Sequence, residues 1–158
     1  MAIDNDYVIY TLNNLIETCK DGQEGFQTAA DGLKNSELKM LFHTYARQRA
    51  QFAAELQLEV HRLGGDPEQT GSVAASLHGG WINIKTAVTG KDEASVLAEC
   101  EQGEDSAVTN YREALKGELP ADIRDLVERQ AEQVREAHDH IRSLQTAAGT
   151  QTRGATSA

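Results

Sequence analysis

The segment Cys100-Glu101-Gln102-Gly103-Glu104-Asp105 lies within a helical pattern and places the carboxylate of Glu104 where that pattern requires an apolar residue. On either side, apolar residues continue at steps of three and four, the spacing of a helix face that packs against neighbours. A second segment, Cys19-Lys20-Asp21-Gly22-Gln23-Glu24, repeats the order of cysteine, glycine and acid near the other end of the chain. The two segments indicate a duplicated helical plan with a polar position inside each half.

Further matches between the two halves occur at a nearly constant offset. Leu33-Lys34 matches Leu115-Lys116, and Arg47-Gln48-x-x-Gln51 matches Arg129-Gln130-x-x-Gln133. Each match is short, but the shared offset indicates two helical hairpins of a common plan.

The link between the hairpins decides how they are joined. It covers residues 64–91, whereas an antiparallel neighbour needs only a handful of connecting residues. A link of this length can contain a helix of its own, predicted from Ser72 to Val88 with Trp81 on its inner side. It therefore predicts a crossover that leaves helix three parallel to helix two. The expected fold is an all-α, ferritin-like four-helix bundle rather than an up-and-down bundle.

Length and composition predict one domain. The bundle is expected over residues 1–147, and the tail 148–158 lacks apolar periodicity and is expected to be disordered. The net charge of -10 argues against a nucleic-acid partner, because phosphate binding needs clustered Lys and Arg. Neither a basic amphipathic face nor a long apolar run indicates a membrane, and no basic leader precedes the first helix. A cytoplasmic protein is therefore expected.

Four polar residues are predicted to meet halfway along the bundle. Gln23, Arg49, Glu104 and Gln130 lie at similar distances from their hairpin turns, so antiparallel pairing brings them to one height. An unpaired guanidinium inside a core would be very costly, so Arg49 must reach solvent or meet a carboxylate. The sequence predicts a mid-bundle polar layer in which Glu104 is the partner of Arg49.

Six segments along the chain carry a family resemblance: Leu12-Asn13-Asn14-Leu15-Ile16-Glu17-Thr18, Gln51-Phe52-Ala53-Ala54-Glu55-Leu56, Gly71-Ser72-Val73-Ala74, Gly80-Trp81, Ala98-Glu99-Cys100-Glu101-x-Gly103-Glu104-Asp105 and Ala137-His138-Asp139-x-Ile141-Arg142. Together they resemble an uncharacterised bacterial family whose members are assigned to a domain of unknown function. The resemblance covers nearly the whole chain up to Leu144. It implies a single-domain, ferritin-like four-helix bundle and no particular activity.

Ferritin-like bundles place two metal ions at mid-height, held by a glutamate from each of two helices and a Glu-x-x-His motif from each of the others. Helix two has no such motif, and Arg135 stands where helix four needs the glutamate before His138. The favoured interpretation is a metal-free layer built on an ion pair between Glu104 and Arg49. The alternative is a remaining iron or zinc site with four ligands: Glu24, Glu55, Glu104 and His138.

Two classes of function follow from these interpretations. The favoured class is a non-enzymatic structural or stress-related interaction protein, acting as a homo-oligomer or with a protein partner. The other class is a metal-dependent oxidase or metal-handling protein. A third hypothesis makes Cys19 and Cys100 a redox or soft-metal pair, although two buried small residues are the favoured interpretation of these thiols.

Overall fold

The structure of the protein, a computed structural model, describes residues 3–67, 79–90 and 92–156. Within these ranges the chain forms α-helices and one short 3₁₀ turn, without strands. In chain order the elements are α1 (Asn5–Gly32), α2 (Ser36–Arg62), the 3₁₀ turn (Gly79–Trp81), α3 (Ile84–Thr89), α4 (Glu93–Lys116) and α5 (Ala121–Thr156). The all-α class predicted from the periodicity is confirmed.

Local side-chain chemistry sets the ends of the long helices. Asn35 Oδ1 accepts hydrogen bonds from the backbone N–H groups of Glu37 and Leu38 at 2.9 and 3.1 Å, which satisfies two free donors at the start of α2. Asp92 caps α4 in the same way. Just beyond the end of α2, Gly64 adopts a φ of 81°, a left-handed backbone that glycine enters without a Cβ clash.

Contacts between α1 and α4 define the topology. Cys19 of α1 lies against Tyr111 of α4, whereas Gly25, further along α1, faces the same Trp81 ring as Gly103, which is nearer the start of α4. The two helices are therefore antiparallel. Because α1 and α2 form a tight hairpin, α2 runs parallel to α4. The predicted crossover between two hairpins is confirmed.

The crossover packs on the seam between α1 and α4. Trp81 is 2% exposed, and its ring lies between Gly25 and Gly103. A Cβ added at these glycines would fall 2.2 and 2.1 Å from ring atoms, respectively. Both helices must therefore lack a side chain at these positions for Trp81 to enter, and this packing anchors the crossover to both hairpins.

The crossover differs from the single helix predicted between Ser72 and Val88. Residues 72–78 lie outside the described ranges, and the chain then breaks from helix between the 3₁₀ turn and α3. Asn83 has φ -102° and ψ 9°, away from helical values. This break allows Trp81 and Ile84 to be buried while Ile82 between them is 72% exposed.

A polar layer divides the apolar core. One cluster of buried side chains includes Cys19 and Phe52, and the other includes Phe26, Ala46 and Cys100. The boundary falls at Gly22 on α1, Arg49 on α2 and Glu104 on α4, which lie between members of the two clusters along their helices. The charged pair is thus at mid-height, as the hairpin geometry predicts.

Helix α5 is longer than the sequence predicts. It extends to Thr156 and includes most of the stretch that was expected to be a disordered tail. Extension of an existing helix adds a hydrogen bond for each residue fixed, so it does not require a continued apolar face. None of the described helices, α5 included, is long and apolar enough to cross a membrane.

Candidate functional site

A buried ion pair joins α2 to α4 at mid-bundle. Arg49 donates from Nη1 to Glu104 Oε1 at 2.5 Å and from Nη2 to Glu104 Oε2 at 2.7 Å. The two side chains are 2% and 0% exposed. Two parallel hydrogen bonds between planar groups fix their orientation as well as their separation. The two residues that interrupt the apolar stripes therefore meet and connect the hairpins.

The surroundings of Arg49 hold its guanidinium from several sides. A Cβ at Gly22 would lie 3.4 Å from Nη1 and 3.5 Å from Cγ of Arg49, so the side chain packs directly on the bare surface of α1. The ring centroid of Phe26 is 5.3 Å from Cζ, within cation–π range. Nε donates to Gln48 Oε1 at 3.3 Å. Charge, packing and hydrogen bonding thus specify one position for this group.

Gln23 does not join the layer in which the internal repeat places it. It is exposed on α1, and the preceding Gly22 faces the interior at this height. Successive residues of an α-helix are rotated by about 100°, so the repeat alone does not tell which of two neighbours points inward. At this height, helix α1 provides room for the Arg49 side chain and does not contribute a polar group to the layer.

The charge of Glu104 keeps its partner Arg49 in the charged form. Burial alone would lower the pKa of the Arg49 guanidinium, but the charge of Glu104 and the hydrogen bonds to it outweigh burial and raise that pKa. Arg49 is therefore charged across the accessible pH range. If either partner were removed, the other would remain as an uncompensated polar or charged group in the core.

A chain of hydrogen bonds lies beside the ion pair and ends at a carboxylate. Tyr111 Oη donates to Gln130 Oε1 at 2.8 Å, so the Cys19 thiol, 3.1 Å away, donates to Tyr111. Gln130 Nε2 in turn donates to Glu55 Oε1 at 3.0 Å and to the backbone carbonyl of Phe52 at 3.3 Å. Gln130 thereby links α5 to α2.

The two thiols lie in different environments. Burial raises the pKa of Cys19 to about 11, against the lowering effect of its hydrogen bond with Tyr111. Burial also raises the pKa of Cys100 well above its ordinary value. Cys19 belongs to one core cluster and Cys100 to the other. Both are protonated at neutral pH, which disfavours nucleophilic or metal-binding chemistry.

His138 lies on α5 at the edge of the bundle and faces acidic side chains. Its Nε2 contacts Asp105 of α4, and its Nδ1 is 3.1 Å from Asp139. Burial acts to lower the pKa of His138, but the hydrogen bonds with Asp139 and Asp105 outweigh it and raise that pKa. Together with Glu101 and Asp105, His138 offers three ligand atoms that all lie within 4.8 Å of one another.

The four residues considered as iron or zinc ligands are dispersed. Glu104 is bonded to Arg49, and Glu55 accepts from Gln130. His138 turns toward Asp105, and Glu24 is exposed on α1. The interior residues also do not fit a pair of metal ions, because both oxygens of Glu104 are engaged and a guanidinium occupies the adjacent space.

The acidic neighbours of His138 are not predicted from the sequence. Asp105 is exposed on α4, whereas Glu101 is partly buried. The available signal is their spacing of four residues, which places both on one helix face. This signal is weak, because the same spacing is common in solvated acidic surfaces. The position of His138 opposite them depends on the register of α4 and α5.

The topology and the mid-bundle layer define a ferritin-like helical bundle. A solved structure of a two-domain protein from Anabaena variabilis, containing DJ-1/ThiJ/PfpI-like and ferritin-like domains, is similar to this chain with a TM-score of 0.77 and 14% sequence identity. The similarity covers 92% of this chain and 40% of that chain, so this protein spans two fifths of its length. It shows the ferritin-like fold.

Residues 7–117 match the family described as Domain of unknown function (DUF2383), and the chain belongs to this family. The matched region extends from the start of α1 to the end of α4, so it includes both Arg49 and Glu104. No curated protein matches the chain.

The Glu104→Gln variant should lower the free energy of unfolding by about 3 kcal/mol, the scale for removing one partner of a buried ion pair. The amide keeps the shape of the side chain but leaves the Arg49 charge without compensation. Equilibrium urea unfolding followed by circular dichroism measures the change.

Glu113→Gln is the matched control for this substitution. Glu113 is on the same helix and pairs with Lys116 at 2.9 Å, but both side chains are more than 60% exposed. An exposed pair of this kind contributes less than about 1 kcal/mol. Equal unfolding midpoints for the two variants would show that Glu104 is not in a buried ion pair.

Proposed function

We propose that this chain is a non-enzymatic ferritin-like bundle that acts through association, with an ion pair in place of a dimetal centre. The observation that carries the proposal is the bidentate contact between Arg49 and Glu104 at 2.5 and 2.7 Å in the middle of the bundle. A guanidinium supplies the positive charge that metal ions supply in related bundles. It also occupies the Glu104 carboxylate, which a metal ion would need as a ligand.

The composition of the layer supports the same conclusion. A dimetal centre needs several carboxylates and paired histidines around one space. Here Gly22 packs on Arg49 and Gln130 accepts from Tyr111, and neither supplies an anionic ligand. A divalent cation placed beside the guanidinium would also be repelled by it at short range in a poorly screened interior. The interior is therefore suited to structural rather than redox chemistry.

A second candidate function is divalent-metal binding at the edge of the bundle. Glu101, Asp105 and His138 supply two carboxylates and an imidazole, a donor set suited to zinc. Two features compete with a metal: Arg142 Nε donates to Glu101 at 2.8 Å, and His138 is already bonded to Asp105. These contacts favour the non-metal proposal. They also name the residues whose substitution tests the alternative, divalent-metal binding at the edge of the bundle.

Protein purified from cells supplemented with iron and zinc should contain no stoichiometric metal, and anaerobic Fe(II) titration should show no saturable uptake. Elemental analysis by mass spectrometry measures the metal content. When air is admitted to the Fe(II) mixture, oxygen should be consumed no faster than in buffer, because the described part of the interior offers no free ligand set.

Two variants separate the possible contrary results. One metal ion per chain that is lost in Glu104→Gln would overturn the proposal, since it would place the metal at mid-bundle. One zinc ion that is lost in His138→Gln but retained in Glu104→Gln would establish the peripheral site instead. The pH dependence adds a check, because zinc needs neutral His138 and would bind more tightly as pH rises through its raised pKa.

The association is proposed to be homo-oligomeric and to use the exposed end of α1. Tyr7 and Tyr10 are three residues apart and 41% and 66% exposed. They border a groove of about 380 Å³ along the seam between α1 and α4. Exposed aromatic side chains are enriched at the centres of protein interfaces, which favours this face for self-association.

Light scattering coupled to gel filtration should give a mass above that of one chain, and Tyr10→Arg should shift it to the mass of a monomer. A charge at the centre of an interface is costly when it is left unpaired. Met40→Arg is the control, because Met40 is similarly exposed, at 71%, but lies on α2. A monomeric wild-type protein, or equal effects of the two variants, would contradict this assignment.

A further inference from the structure

A polar groove of about 550 Å³ lies between α2 and α5. Few backbone contacts join these two helices, and side-chain bridges close the space between them. Gln48 Nε2 donates to Gln133 Oε1 at 3.0 Å, and Gln130 reaches Glu55 and the backbone of Phe52. The described part of the crossover packs on α1 and α4. The groove is therefore a separate feature of the bundle.

Both copies of the internal repeat line this groove. Arg47, Gln48 and Gln51 come from α2, and their repeat equivalents Arg129, Gln130 and Gln133 come from α5. The two helices are antiparallel, because Tyr45 lies opposite His140 whereas Gln48 lies opposite Gln133. A pseudo-twofold axis between them thus presents one arginine and a pair of glutamines from each side. The ion pair does not account for the repeated Arg-Gln-x-x-Gln motif, but a groove lined by both copies of the motif does.

The charge of the groove differs from that of the protein as a whole. Its charged lining residues are Arg47, Arg129 and Glu55, one more positive than negative, in a chain of net charge -10. Among the described residues, the lining of the groove between α1 and α4 contains three acidic residues, Glu17, Asp21 and Glu113, and no lysine or arginine. A small anion would therefore be attracted to the groove between α2 and α5.

The arginines of the groove have hydrogen-bonding capacity to spare. Arg47 Nη2 makes one long contact, 3.4 Å, with the hydroxyl of Thr44. Arg129 has no side-chain partner within the described ranges, and Glu55 is occupied by Gln130. The planar guanidinium fork matches a carboxylate with two parallel bonds. The nearby glutamine amides can both donate and accept.

We propose that this groove binds a small linear dicarboxylate, with one carboxylate at Arg47 and the other at Arg129. The two-sided lining favours a ligand with two separated anionic ends over a compact anion. Gln130 is buried and already bonded, so the exposed amides of Gln51 and Gln133 beside the arginines hydrogen-bond the carboxylates. The site goes beyond the proposed association and does not depend on it, since it uses a different face of the bundle.

Isothermal titration calorimetry with succinate, glutarate and adipate should detect saturable binding of at least one of them to the full chain. Arg47→Gln and Arg129→Gln should each weaken that binding by about tenfold or more, because each removes hydrogen bonds to a charged group. Both arginines are exposed, so the variants should retain the fold, which circular dichroism checks.

Arg112→Gln is the matched control, because Arg112 is an exposed arginine on α4 outside the groove. It should leave the affinity unchanged. Acetate and sulfate at equal ionic strength test the need for two separated carboxylates and should bind at least tenfold more weakly. The proposal would be overturned by the absence of binding to all three dicarboxylates. It would be overturned equally by binding that acetate or sulfate matches, or that neither Arg47→Gln nor Arg129→Gln weakens.

Discussion

The contact between Arg49 and Glu104 is the constraint on which the rest of the bundle depends. It is a charged pair whose side chains are almost completely buried, so each member must be matched in position as well as in charge. Because Arg49 is in the first hairpin and Glu104 in the second, the pair specifies the register between them. Apolar clusters on either side tolerate small shifts in packing more readily than a bidentate contact does.

Equivalent glycines in the two halves of the internal repeat pack against different side chains. Gly22 and Gly103 occupy equivalent places in the repeat, and each is bare because a large side chain lies on it. Gly22 faces Arg49, whereas Gly103 faces Trp81 of the crossover. One glycine thus admits the charge that joins the hairpins, and the other admits the ring that anchors their connection. The same local sequence serves two packing tasks because different neighbours reach it.

Much of the fold could be predicted from the sequence, because long helices with strong caps and a long link leave few topologies. The ion pair could be predicted as well, since Arg49 and Glu104 each break an apolar stripe at the same height. The place of Gln23 could not, because a rotation by one residue decides whether it or Gly22 faces inward. The acidic partners of His138 escaped prediction because exposed acids carry little positional information. The break at Asn83 depends on the depth at which Trp81 is buried.

Membership of a family of unknown function and a ferritin-like fold leave the chemistry of the centre to be argued from the side chains. A double-mutant cycle on Arg49 and Glu104 tests the central claim most directly, using Arg49→Met, Glu104→Gln and the double variant. If the pair replaces a dimetal centre, the double variant should lose about 2 kcal/mol less unfolding free energy than the two single variants lose together. The reason is that the double variant leaves no charge unpaired. Effects that add within about 0.5 kcal/mol would contradict the account.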